Sequence, residues 1–113
     1  MANTSVPLGN EGVLTGTTPV TVLAAPAAST QRVTAPYGIN VMNRDTATRT
    51  ITIRKNKAGT IYALATQTLL TLTSYSFPGR VVLDATNESL EIVSDGAAAT
   101  TEPSWDIAAL ETT

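Results

Sequence analysis

The chain has 113 residues, a formal net charge of -2, and 14% charged residues against the roughly 25% usual for soluble domains. That length sets one domain with room for a real core. Neither Cys nor His is present, which excludes disulfides, thiolate chemistry, the commonest general base and the commonest metal ligand. Thr is the most frequent residue and Ala the next. A poorly charged surface of this kind suits packing against other chains.

Residues 1–17 are polar and rich in Gly, Asn and Thr, with only Val6, Leu8, Val13 and Leu14 as apolar anchors. They read as an extended N-terminal arm, a short strand at most, ordered by something other than itself. The opening residues lack a basic stretch followed by an apolar one, so no signal peptide is expected. No run approaches the length of a membrane-spanning helix.

Thr18–Ala24 alternates and reads as a strand, with Pro19 at its start. Pro26 and Pro36 bracket a short strand over 31–34. Tyr37–Asn43 alternates again. Asn43–Thr48 has turn composition, and Arg49–Lys55 follows with Ile51 and Ile53 on one face and Thr50, Thr52 and Arg54 on the other. The spacing predicts a hairpin from 37–43 to 49–55, with 49–55 central. The turn Asn56–Gly59 then leads into a further strand, Thr60–Ala65, completing a meander. Residues 66–72 read as strand or irregular. Short strands at 74–77, 81–83, 89–94 and 104–110 follow, separated by Pro78-Gly79, Asp84–Asn87, Asp95-Gly96 and an Ala/Thr linker.

Eight or nine short strands at roughly 8–12-residue spacing predict an all-β protein: a single antiparallel β-sandwich or jelly-roll-like domain over 18–113, preceded by the arm over 1–17.

Charge is unevenly placed. Arg44, Arg49, Arg54, Lys55 and Lys57 cluster mid-chain, while Asp84, Glu88, Glu91, Asp95, Glu102, Asp106 and Glu111 fall where no Lys or Arg remains. Either acidic strands pair beside the basic one, or the basic face of Arg54 and Lys55 meets a partner. The basic cluster is short and lacks interleaved aromatics, so nucleic acid is not expected.

No phosphate loop, dinucleotide fingerprint, nucleophile elbow, zinc motif or calcium loop occurs. Neither catalytic nor cofactor or metal residues are expected, nor a small-molecule substrate. Asp84, Glu88 and Glu91 read as a solvated acidic turn rather than a glycosidase pair or calcium site. Trp105 alternates with Ile107 and reads as a core or interface anchor, with a sugar- or base-stacking platform as the alternative.

Ser89-Leu90-Glu91-Ile92-Val93-Ser94, the linker Ala97–Pro103 and the closing strand at Trp105 resemble the end of small β-sandwich virion proteins of tailed bacteriophages. The middle, Tyr37–Asn43, Thr50–Arg54 and Gly59–Tyr62 followed by Pro78-Gly79, is similar to the same group, so the likeness covers roughly 37–110. The resemblance implies a non-enzymatic virion protein, foremost a capsid cement or decoration protein. Such a protein is made in the host cytoplasm, sits on the capsid surface as a dimer or trimer, binds the major capsid protein and stabilises the shell. Tail or neck proteins share the pattern, and a carbohydrate-binding module acting through Trp105 is a third possibility. The residues expected at a partner contact are Val6, Leu8, Val13, Leu14, Arg54, Lys55 and Trp105. Deleting 2–15 should then weaken particle binding and leave the domain folded.

Overall fold

The computed structural model describes residues 5–113. Nine strands run in chain order: β1 (Ser5–Val13), β2 (Val20–Leu23), β3 (Gln31–Met42), β4 (Arg49–Lys57), β5 (Thr60–Leu69), β6 (Ser74–Phe77), β7 (Val82–Leu83), β8 (Glu88–Ser94) and β9 (Ser104–Thr112). They form two antiparallel sheets. The first has the order β1-β9-β3-β6, with β7 also on β3, and the second has the order β2-β8-β4-β5.

Strand periodicity builds the core. Ile51 and Ile53 of β4, Leu90 and Ile92 of β8, and Val22 of β2 point from the second sheet; Ile39, Val41, Trp105, Ile107 and Ala109 point from the first. All are buried. Removing that apolar surface from water is the main force holding the sheets face to face.

β4 is an interior strand, as its alternation predicts, but its partners are β8 and β5. The hairpin expected between 37–43 and 49–55 does not form, because β3 and β4 lie in different sheets. The segment between them crosses from one layer to the other, and Asn43 and Asp45 are fully buried in that crossing. Asn43 donates through its side-chain amide to the carbonyls of Ala47 and Leu69, each at 2.9 Å, and its Oδ1 accepts from the Asp45 N–H at 2.9 Å. These bonds fix a path between layers where the composition alone suggests a surface turn.

The β4–β5 hairpin does form. Both central residues of its turn have positive φ, 52° at Ala58 and 90° at Gly59, and the Gly59 N–H donates to Asn56 Oδ1 at 2.8 Å. That backbone matches the twist of the flanking strands.

The segments 31–34 and 37–43, expected as separate strands, are one strand. Thr34 pairs with Ala109 and Ile39 with Ile107, so residues 35–38 bulge out against Ala108. Pro36, which has no N–H to give to a ladder, falls in this bulge.

Residues expected as an extended arm are, from Ser5 onward, an edge strand. β1 pairs with β9 from Ser5↔Thr112 to Val13↔Ser104 without a break. Its partner is the chain's own C-terminal strand, which supplies the order a polar segment cannot give itself. Leu14 follows it into the core at 1% exposure. Residues 1–4 lie outside the described residues.

Candidate interaction surface

The residues expected at a partner contact do not come together. Leu14 and Trp105 are interior. Trp105 stands across from Gly12, where a Cβ would come within 2.8 Å of the indole ring. A ring packed this closely has no open face, so Trp105 is a core anchor and not a stacking platform. Val6, Leu8 and Val13 lie along β1: Val6 and Val13 are exposed, and Leu8 packs partly against the core.

Arg54 and Lys55 lie in the other sheet, and their charges are met from within. Arg54 Nε donates to Glu91 Oε1 at 2.9 Å, and Lys55 Nζ pairs with the Glu88 carboxylate. Arg54 also faces Glu91 across the β4–β8 ladder. The acidic strand thus lies beside the basic one. This corrects the reading of Glu88 and Glu91 as a solvated turn: both are buried. The Lys55 ammonium is the largest influence holding the Glu88 carboxyl below its ordinary range, against the opposing effect of burial. No group of carboxylates that could hold a metal ion occurs among the described residues.

Asp45 is the other buried acid. Its carboxylate accepts the Ala99 and Thr100 N–H groups, each at 2.8 Å, the Thr46 N–H at 2.9 Å, and Arg49 Nε at 2.9 Å. The Ala99 N–H leads in holding it far below the usual carboxylate range; desolvation opposes this, and Thr100, Arg49 and Thr46 add to it. Arg49 in turn donates to the Ala97 carbonyl at 2.6 Å. The network ties the 43–48 crossing to the 95–101 linker at one pole of the sandwich. It is a structural clasp, with no room around the carboxylate for a ligand.

The exposed apolar surface lies elsewhere. On the outer face of the first sheet, Pro7 pairs with Leu110, Leu110 with Val33, and Val33 with Val82. This makes one apolar row across four strands. Leu110 is 50% exposed and Val82 39%. Beside the row the β3 bulge shapes a depression of about 400 Å3, lined by Val33, Ala35, Pro36, Arg80, Ala108 and Leu110. Gly38 makes the bulge possible, since a Cβ there would stand 2.8 Å from the Ala35 oxygen and 2.9 Å from the Ala108 oxygen. Tyr37, with φ of 56°, stands out from the bulge at 64% exposure. Among the described residues Arg80 makes no ion pair, so it is a free cation at the rim of this depression. Alternation with Trp105 and Ile107 turns Leu110 outward, but Val82 belongs to the unbroken apolar run Val81–Leu83, which reads as a buried strand although Val82 is exposed. Their alignment depends on the register of four strands far apart in sequence, and no local signal carries that.

The β5 strand is the second exposed apolar feature. Ile61, Tyr62 and Leu64 are all solvent-facing, and beyond the strand so are Leu70 and Leu72.

No protein-family model matches the chain, and no curated protein does. Solved structures share its fold. A chain from the disulfide-linked pili of Bacillus endospore appendages superposes with a TM-score of 0.57 at 16% identity, over 98% of this chain and 88% of that one. A chain of the IBDV viral particle superposes with a TM-score of 0.53 at 16% identity, over 97% of this chain and 30% of that one. A pentameric capsid protein isolated from metagenomic phage sequences gives a weaker likeness, with a TM-score of 0.47 at 14% identity over 93% and 60% of the two chains. What the first two structures share with this chain is the antiparallel two-sheet sandwich.

Proposed function

We propose that the chain is a non-enzymatic structural subunit of a virion, bound to the major capsid protein as a cement or decoration protein on the capsid surface. The observation that carries this reading is the apolar row Pro7–Leu110–Val33–Val82 with its adjoining depression. An exposed apolar row beside a free cation is a surface suited to a partner rather than to water. The charges expected to serve that purpose, Arg54 and Lys55, are taken up internally. Seating on assembled coat subunits stabilises the shell by mass action, because the protein binds the assembled state and not the dispersed one. The fold's occurrence in a viral particle chain and in pilus chains is in keeping with an assembly role.

The test is co-purification with intact particles, in numbers comparable with the coat subunits, together with variants in the row. Val82→Asp and Leu110→Asp should abolish particle binding with the fold retained. Undiminished binding by both would remove the row from the contact.

The second reading is a subunit of a filament or of a tail or neck. The pilus likeness, which spans nearly the whole of both chains, favours keeping it. With no Cys, such a filament would be held by surface contacts alone. Imaging of the particle separates the readings: cement covers the shell, whereas a tail or neck subunit occupies one vertex.

A further inference from the structure

An unpaired strand edge exposes backbone donors and acceptors to any other strand, and proteins guard such edges by shortness, charge, proline or bulges. Among the described residues the sheet edges are formed by β1, β2, β5, β6 and β7. β2 and β6 are four residues each and β7 is two. β1 is nine residues long but carries Pro7 and Glu11.

β5 is different. It runs for ten residues, Thr60 to Leu69, and contains no charged residue, no proline and no glycine. It pairs only with β4, and its one irregularity is the bulge at Leu64. Ile61 is 42% exposed, Tyr62 52% and Leu64 36%. β4 beside it carries Arg49, Arg54, Lys55 and Lys57, but it is covered on both edges. The basic residues therefore stop one strand short of the open edge.

That distribution suits a second copy of the chain. When a strand pairs antiparallel with its own copy about a two-fold axis, the residue at the axis meets itself and each other residue meets the one equally far beyond the axis, so a charge near the axis or a run of like charges meets like charge. An uncharged edge meets no such repulsion in any register, and β5 is uncharged along its length. Its outer face also carries a Thr ladder. Thr68 lies 3.0 Å from Thr50 and Thr66 lies 3.3 Å from Thr52, oxygen to oxygen, and cross-strand Thr pairs can continue over the axis.

We infer that two copies pair β5 to β5, antiparallel, about a two-fold axis, joining their second sheets into one continuous sheet. The contact does not depend on the virion reading and belongs to the purified chain. Sedimentation velocity over a concentration series should show a reversible dimer. The double variant Ile61→Lys, Leu64→Lys should sediment as a monomer at every concentration, with unchanged far-UV circular dichroism. Leu110→Lys, on the other sheet, should still dimerise.

Because the chain has no Cys, single cysteines placed along Thr60–Thr68 give a second readout that does not rely on the charged variants folding. Oxidation should yield a covalent dimer most readily at positions nearest the axis, falling off to either side. A wild-type chain that stays monomeric, a dimer that survives the double variant, or a flat cysteine profile would overturn the pairing. So would growth into open-ended chains.

Discussion

Ile53 and Asp45 are both fully buried, and they show how differently two interior residues are announced. Ile53 alternates with Thr52 and Arg54 and packs where that pattern says it should. Ile53→Ala removes methylenes from the centre of the sandwich and should cost about 2–5 kcal/mol in chemical denaturation. Asp45 looks like an ordinary turn residue, because the N–H groups that receive it lie more than 50 residues away, in the 99–101 stretch. Its folded pKa is depressed, so the stability it contributes is present above its ordinary value of 3.8 and is lost as pH falls towards the lower folded value. Glu88, depressed from an ordinary 4.5, has the same sign. The unfolding midpoint should therefore hold level from neutral pH down to about 5 and fall steeply below 4. A thermal-melt series in buffers of equal ionic strength checks this, and Asp45→Asn or Glu88→Gln should each flatten the acid limb. Trp105 is legible only in part: its alternation with Ile107 leaves core and interface both open, its expected place at a partner contact does not hold, and the structure puts it in the core.

The strands themselves were largely readable from period and turn residues, but which strands pair was not. The β4–β5 turn is local: Asn56, Ala58 and Gly59 fix it within four residues. The β3–β4 connection resembles a turn equally well, yet its buried polar residues carry the chain to the opposite layer. Nothing within 43–48 states that Leu69 and the 97–101 linker will be waiting. The bulge in β3 was hidden for a similar reason, since Pro36 suggests a break and the structure makes a detour within one strand. Gly38→Ala tests that detour. The atoms a methyl group would meet are backbone oxygens, which cannot swing away, so the substitution should cost about 1–3 kcal/mol. Lys55→Ala should cost more than the ~1 kcal/mol typical of an exposed pair, because the partner it strands, Glu88, is 1% exposed. Urea titration of both variants measures these losses.

At the scale of the molecule, the spacing of short alternating strands indicated an all-β sandwich, and the two antiparallel sheets agree with that fold. The exposed apolar row of the first sheet was not legible residue by residue. That row is assembled from β1, β3, β7 and β9 by a register the sequence does not spell out. The N-terminal segment gains a different role as well. Gly12 covers the Trp105 ring and Leu14 fills the core, so deleting residues 2–15 cannot be a neutral removal of an arm. Burial of Leu14 alone is worth about 1.5–3 kcal/mol. The truncated chain should show red-shifted Trp fluorescence and a lowered unfolding midpoint, and loss of particle binding by it would say nothing specific about the contact.

The pairing of β1 with β9 also has a consequence in time. Ser5 and Thr112, 107 residues apart in sequence, are side by side. During synthesis β1 must wait, unpaired, for the strand that completes it, and the first sheet closes only when β9 arrives. Such distant pairing makes for slow folding, on the scale of milliseconds to seconds. It also means that both ends of the described chain emerge at one pole, so a short linker joining them would carry β9 straight into β1 as a hairpin. A circular permutant opened at the exposed Ala28-Ser29 loop, which joins β2 and β3 of different sheets and so breaks no hairpin, should refold faster than the natural order of strands while keeping the same two sheets, a comparison that stopped-flow Trp fluorescence can make.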